Sequence, residues 1–318
     1  MGCGRPPAGL VGGRLGDWMG DRHDGRVQDD QTLPDARPAR TAPDPRPDPA
    51  RRRAGAEIVI VLGLSLGASA VYAVINLVGK LTAGPPLARQ TATLNAPASP
   101  RPYLDLSYQL AGIAVTLMPV ALVLFLLSGA AAQPAADEAK PATGGGATGP
   151  SGGLRDAVRQ LGLDLRRPGR DLAAGAALAA VIGLPGLGLY FAGRRLGITA
   201  DVVPTALSPY WWTIPVLVLQ AIKNAVIEEV VVVGYLLSRL RQLGWPGWAS
   251  LGASALLRGS YHLYQGFGPF VGNAAMGLIF GEWFRRRGRL LPLVIAHTVL
   301  DLVAFVGYQL FATALGLR

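Results

Sequence analysis

One cysteine, Cys3, stands in a chain of 318 residues. That excludes an internal disulfide framework and any CxxC metal site. Charge is also scarce: Asp, Glu, Lys and Arg make up 16% of residues, where a soluble domain carries about 25%. Histidine occurs three times, at His23, His262 and His297. No HExxH places two metal ligands on one helical turn,, and no GxGD provides a presenilin-type aspartyl pair. What is abundant is apolar surface. Half the residues are hydrophobic and the mean hydropathy is +0.33, although the first fifty-odd residues are nearly all polar, Pro or Arg. The rest of the chain is therefore a polytopic membrane protein by composition.

Residues 1–53 repeat Arg-Pro and Asp-Pro steps and present no periodic apolar face. Such a segment cannot bury enough surface to offset its ordering entropy, and it reads as a disordered cytoplasmic leader. It has no apolar h-region of a signal peptide. Met1-Gly2 begins like a myristoylation site, but Pro6 occupies the place of the required Ser or Thr,.

Seven apolar segments follow, near Ile58–Gly79, Gln109–Ala132, Leu172–Gly193, Trp211–Leu237, Trp248–Tyr264, Pro269–Phe284 and Leu291–Thr313. Each approaches the ~20 residues that cross ~30 Å of hydrocarbon. The fifth and sixth are the shortest and most polar. The expected fold class is an all-α polytopic membrane protein with about seven transmembrane helices. Its expected parts are the leader (1–53), two N-terminal spans (54–132), a flexible Gly/Ala/Pro linker (133–153) and a membrane core (154–318). The amphipathic stretch LRDAVRQLGLDL at the start of the core reads as a surface helix,.

With the N-terminus inside, 22 of the 30 Lys and Arg fall in cytoplasmic segments and six outside. Lys223 and Arg258 remain, within spans. The positive-inside rule is then met at every loop by seven crossings. The net charge of +10 thus reflects orientation and anionic lipid, and no nucleic-acid partner is expected.

Charges at the bilayer centre cost on the order of 2.5–3.5 kcal/mol on insertion scales. Here they gather in the C-terminal half: Gln220, Lys223, Asn224, Glu228 and Glu229 on the fourth span, Arg258 and His262 on the fifth, Asn273 on the sixth, His297 and Asp301 on the seventh. At about 100° per residue, Gln220, Asn224 and Glu228 share a stripe. Glu229 points away from it by about 100°, so the two acids are expected not to face one spot. Arg258/His262 and His297/Asp301 are i,i+4 pairs. Gly277 and Gly281 form a GxxxG face for close helix approach. One buried His or Glu commonly serves helix assembly. Two acids, two His, an Asp and an Arg on three spans exceed that need. Lys223 either snorkels or pairs with Asp301 or Glu229, and structural pairing is the preferred reading.

At these residues the sequence resembles the CPBP family of intramembrane proteases, which includes type II CAAX prenyl endopeptidases and bacteriocin-immunity relatives. The family patterns EExxxR, FxxxH and HxxxN/D correspond to Glu228-Glu229, to RGSYH ending at His262, and to HTVLD with His297 and Asp301. The resemblance covers about residues 170–312. It departs at two positions: Val233 replaces the Arg of the first motif and Arg258 the Phe of the second.

The resemblance implies peptide hydrolysis in the membrane, with a membrane protein or a lipidated peptide as substrate. Glu228 is the expected base, raised in basicity by desolvation and its acidic neighbour. His262 would hold the water or protonate the leaving amine. His297 would contribute to the oxyanion site with Asp301 orienting it, and Asn224 and Arg258 would support. A zinc reading uses Glu228, His262 and His297 as ligands and Glu229 as base; the cofactor-free reading is preferred because no HExxH is present. GASA at 252–255 approaches a rhomboid GxSG, but small residues in a span more often serve packing. A transporter would show repeats between halves, and none is found. A catalytically inactive scaffold or immunity protein of the same family is the remaining alternative. The missing arginine predicts that Arg258 crosses to Glu229 in place of a cation at 233, rather than snorkelling to the headgroups.

Overall fold

A computed structural model describes residues 49–131 and 153–311. The expected leader up to residue 48, and the linker from 132 to 152, lie outside the described residues. The chain is mostly helical, as composition requires. Helices α1 (Pro49–Gly63) and α2 (Leu66–Thr82) come first, then strand β1 (Thr91–Asn95), α3 (Pro102–Thr116) and α4 (Met118–Ala131). The second half begins with the short α5 (Leu154–Gln160) and α6 (Pro168–Arg195), followed by β2 (Asp201–Thr205) and α7 (Thr213–Ile227). A π-helical segment (Glu228–Tyr235) leads into α8 (Leu236–Gln242), α9 (Gly247–Ser260), α10 (Phe267–Arg287) and α11 (Leu291–Phe311).

Three stretches among the described residues are long and apolar enough to cross a membrane: Pro102–Gly129, Pro168–Arg195 and Leu291–Phe311. A fourth is a broken pair, α1 and α2, bent by 53°. The first expected span, Ile58–Gly79, is therefore not one straight helix. The break has a local cause: Ser65 Oγ donates to the Val61 carbonyl at 2.6 Å, competing with the helical ladder,. Of the helices bearing the polar residues, α11 is among these, whereas α7 and α9 are 15 and 14 residues long.

Every residue from Ile227 to Leu240 is buried, so the π-helical segment and α8 form the axis of the core. The GxxxG face does pack closely. A Cβ on Gly277 would meet Ala255 Cα of α9 at 3.0 Å, and one on Gly281 would meet Leu251 at 2.7 Å. On the far side α11 lies against α6 and α7. Outward-facing side chains such as Val71, Ile75, Phe125, Val181, Leu184 and Val303 are exposed, as a lipid-facing surface would be.

Contacts among the connecting segments and helix ends fall into two groups. β1 and β2 pair in parallel, Thr91 opposite Asp201 and Asn95 opposite Thr205, and Thr199 bridges to Gly266. These join residues 91–95, 199–205 and 266. At the opposite group, Arg289 binds Asp164 and Asp171, and Arg239 binds Glu57 at 2.8 Å.

Candidate active site

Glu228 and Glu229 open the π-helical segment and both are buried. An i→i+5 pattern widens the helix and alters the angular spacing of its side chains, a feature frequent at functional sites. The expectation that the two acids face different spots is overturned here. Both carboxylates contact one guanidinium, that of Arg258 on α9. Arg258 Nη1 donates to Glu229 Oε2 at 3.2 Å, and Nη2 donates to Glu229 Oε1. Nη2 also lies 3.2 Å from Glu228 Oε2. Arg258 is wholly buried and stacks over Phe280, 5.3 Å from the ring centroid. It does not snorkel. The cation absent at Val233 has moved to the neighbouring helix.

The fork geometry matters electrostatically. A bidentate guanidinium largely matches one carboxylate, and that carboxylate is Glu229. Glu228 receives only a side contact, together with the hydroxyl of Tyr261, which donates to Oε2 at 2.8 Å. Tyr261 was not singled out from the sequence, although it directly precedes His262. Helix α9 ends at Ser260 and Tyr261 closes it, which turns the ring inward.

His297 comes from α11 with its Nδ1 2.8 Å from Glu229 Oε1. Since a carboxylate only accepts, Nδ1 carries the proton in that bond. Arg258 Nη2 touches the same nitrogen at 3.1 Å. Asp301 does not orient this ring: His297 Nε2 lies 3.9 Å from its Oδ1, beyond hydrogen-bond reach,. Asp301 instead accepts from Asn224 Nδ2 at 3.0 Å, tying α11 to α7. The i,i+4 spacing brought His297 and Asp301 to one face, but Glu229 is the closer partner.

His262 sits between. Gln265 Nε2 donates to its Nδ1 at 3.3 Å, which leaves the proton on Nε2. That Nε2 is buried without a hydrogen-bond partner among the described residues. It lies 3.9 Å from Glu228 Oε2, and His297 Nε2 lies 4.0 Å from the same oxygen. Glu228, His262, His297, Tyr261, Asn224 and Asp301 all line one cavity of about 430 Å³.

The zinc reading can be tested on this geometry. Ligands 2.0–2.1 Å from a tetrahedral ion lie roughly 3.3 Å apart, closer than the 3.9 and 4.0 Å seen here. Glu228 Oε2 already accepts from Tyr261 and meets Arg258. Among the described residues no group of three His, Cys, Asp or Glu is arranged to hold a metal ion. The donor set fits zinc poorly. Ser254 of the GASA segment is also accounted for: it is fully buried and donates to the Val232 carbonyl at 2.8 Å, supporting the π-helical backbone.

Acids and imidazoles from three segments thus converge on one cavity within an apolar bundle. Residues 210–303 match the family described as Rce1-like, type II CAAX prenyl endopeptidase Rce1-like. The match contains every residue of the site from Asn224 to Asp301. No curated protein and no solved structure matches the chain.

Proposed function

We propose that the protein is an intramembrane endopeptidase that uses a glutamate-activated water. The observation that carries this reading is the unpartnered buried Nε2 of His262, 3.9 Å from Glu228 in a polar cavity. A donor left without a partner costs about 1–3 kcal/mol, unless the space it faces takes a water or substrate atom. Water held between Glu228 and His262 loses a proton to Glu228 as its oxygen attacks the peptide carbonyl. His297, doubly protonated between Glu229 and Glu228, donates from Nε2 to the oxyanion. As the carbon–nitrogen bond breaks, the proton on Glu228 passes to the leaving amine, directly or through His262. Glu229 and Arg258 hold the constellation in register.

The inactive-scaffold alternative was motivated by Val233. Arg258 supplies the guanidinium by another route, which favours the catalytic reading. Cofactor-free hydrolysis is supported by the spacing of Glu228, His262 and His297, and predicts activity that survives chelators. The seven-crossing, N-inside topology in a cell membrane is supported by the loop contacts. Segments expected outside meet one another at β1, β2 and Gly266, while helix ends and segments expected inside meet at Arg239 and Arg289. Membrane proteins or lipidated peptides are the proposed substrates.

Comparative terminal proteomics of membranes from a Glu228→Ala strain and its parent tests the function. New termini present in the parent and absent from the variant are expected. Identical terminal profiles, with the variant folded and present at parental level, would falsify it.

A further inference from the structure

The two groups of contacts do not share the site equally. The cavity of Glu228, His262 and His297 is walled by Asn95 and Ala96, where β1 ends, and by Gln265, next to the Gly266 that bridges Thr199. Ala96 is exposed at this rim. Of the other group, none of Glu57, Asp164, Asp171, Arg239 and Arg289 lines the cavity. The way toward them is filled. Every residue from Val230 to Leu240 is buried, and Arg239 spans that end from Glu57 to the Leu126 carbonyl. Lys223 also lines the cavity and pairs with neither Asp301 nor Glu229, whose partners are Asn224 and Arg258. A charge so placed needs a hydrated space, and its water comes past β1.

The charges say which side of the membrane this is. Segments on the side of β1 and β2 carry six of the chain's 30 Lys and Arg, and those on the opposite side carry 22. Two of the six are tied to the protein's own backbone. Lys80 donates to the Thr91 carbonyl at 2.7 Å, and Arg194 to the Ala88 and Thr199 carbonyls at 2.5 and 3.2 Å. The imbalance of free cations is thus wider than the count. The basic side faces the anionic cytoplasmic leaflet, which leaves β1 and β2 outside. We infer that the catalytic cavity opens on the extracytoplasmic side and is sealed toward the cytoplasm. This rests on the endopeptidase and N-inside readings and adds the place of the reaction in a sequence. Cleavage follows translocation or membrane insertion, the class of reaction that must first carry the scissile bond to the outer half of the membrane. A lipidated substrate is then one anchored in the outer leaflet.

The test uses the full-length protein in a bacterial host, with Cys3→Ser removing its one cysteine. Single thiols are then introduced by Ala96→Cys at the rim, Gly112→Cys within the cavity and Arg241→Cys at the opposite end. Gly112 lines the cavity, and a Cβ there meets nothing within 4 Å. It lies about 15 Å along α3 from Pro102, at 1.5 Å per residue. The probe is a charged, membrane-impermeant methanethiosulfonate applied to spheroplasts and to inverted vesicles. Ala96→Cys and Gly112→Cys are expected to react in spheroplasts and to lose that reaction in inverted vesicles, with Arg241→Cys the reverse. Reaction of all three in detergent shows that each thiol is accessible, and thermal unfolding shows that each variant is folded. Ala96→Cys reacting only in inverted vesicles overturns the sidedness. Gly112→Cys reacting from the inner side, while Ala96→Cys reacts from the outer, overturns the seal and leaves the topology standing. The expected labelling in a protein whose terminal profiles match those of Glu228→Ala supports the opening and counts against the peptidase reading alone.

Discussion

Nδ1 of His297 lies 2.8 Å from Oε1 of Glu229, so the second acid of the pair, and not Asp301, fixes the imidazole. The two roles separate by mutation. Losing an orienting partner of this kind typically costs 10–100-fold. Glu229→Gln should lower kcat by about that factor, while Asp301→Asn, which keeps a partner for Asn224, should stay within about threefold of the parent. Peptide hydrolysis by both variants checks the order. A larger loss in Asp301→Asn would return the orienting role to Asp301.

Arg258 is the hub of the buried charges, with Glu228, Glu229 and His297 all in contact with it. Removing one partner of a buried ion pair costs about 3–5 kcal/mol, because the other charge stays behind. Arg258→Phe should therefore unfold well below the parent in a thermal melt. Adding Val233→Arg should restore part of the loss by returning a cation to the helix of Glu229. A double variant no better than the single one would show that the two positions are not exchangeable.

Tyr261 touches the reacting carboxylate through its hydroxyl, which donates to Glu228 Oε2 at 2.8 Å. Tyr261→Phe keeps the ring and deletes that donor. A hydrogen bond to a charged group contributes about 1.5–3 kcal/mol, so kcat should change by roughly tenfold or more with KM little altered. An unchanged kcat would place Tyr261 outside the chemistry.

Arg289 clamps the start of α6 and the segment before it by binding Asp164 at 3.1 Å and, more closely, Asp171 at 2.6 Å. Burial alone would raise the Asp164 carboxyl, but the Arg166 amide and the Arg289 guanidinium outweigh it and hold it below its ordinary value. A depressed carboxyl contributes stability above its unfolded value of about 3.9 and loses it as pH falls through the lower folded value. The clamp should thus be intact at pH 5 and weaken only below about pH 4. Thermal melts of the parent and Arg289→Met across that range should converge at the acid end.

The apolar pattern made most of the helices and the GxxxG contact legible, because lipid and core both select for continuous hydrophobicity. It said less where two elements share an apolar run. Ile58–Gly79 reads as one span until the Ser65 side chain bonds the Val61 carbonyl. TATLN and DVVPT lie between spans and pair only through contacts distant in sequence. The site residues were legible as types in order, and the move of the guanidinium to Arg258 followed from two matched departures. The partners were harder to read. Spacing put Asp301 on the face of His297, but Glu229 reaches that ring through a helix whose winding the sequence does not reveal. Four consecutive valines, Val230–Val233, fit an α-helix, a π-helix or a buried strand equally well,.

That winding makes the central helix an interrupted thread. From Glu228 to Tyr235 it carries more residues per turn than α7 before it or α8 after it,. The slack is stored next to the two carboxylates, with Ser254 stapled to the Val232 carbonyl to keep it from running out. Deleting one valine would let the segment rewind as ordinary α-helix. The rewound helix would be the better-formed one, yet Glu228 and Glu229 would swing out of line with Arg258 and His297. Here a less regular backbone keeps two like charges aimed at one cation, and a tidier helix would do the protein no service.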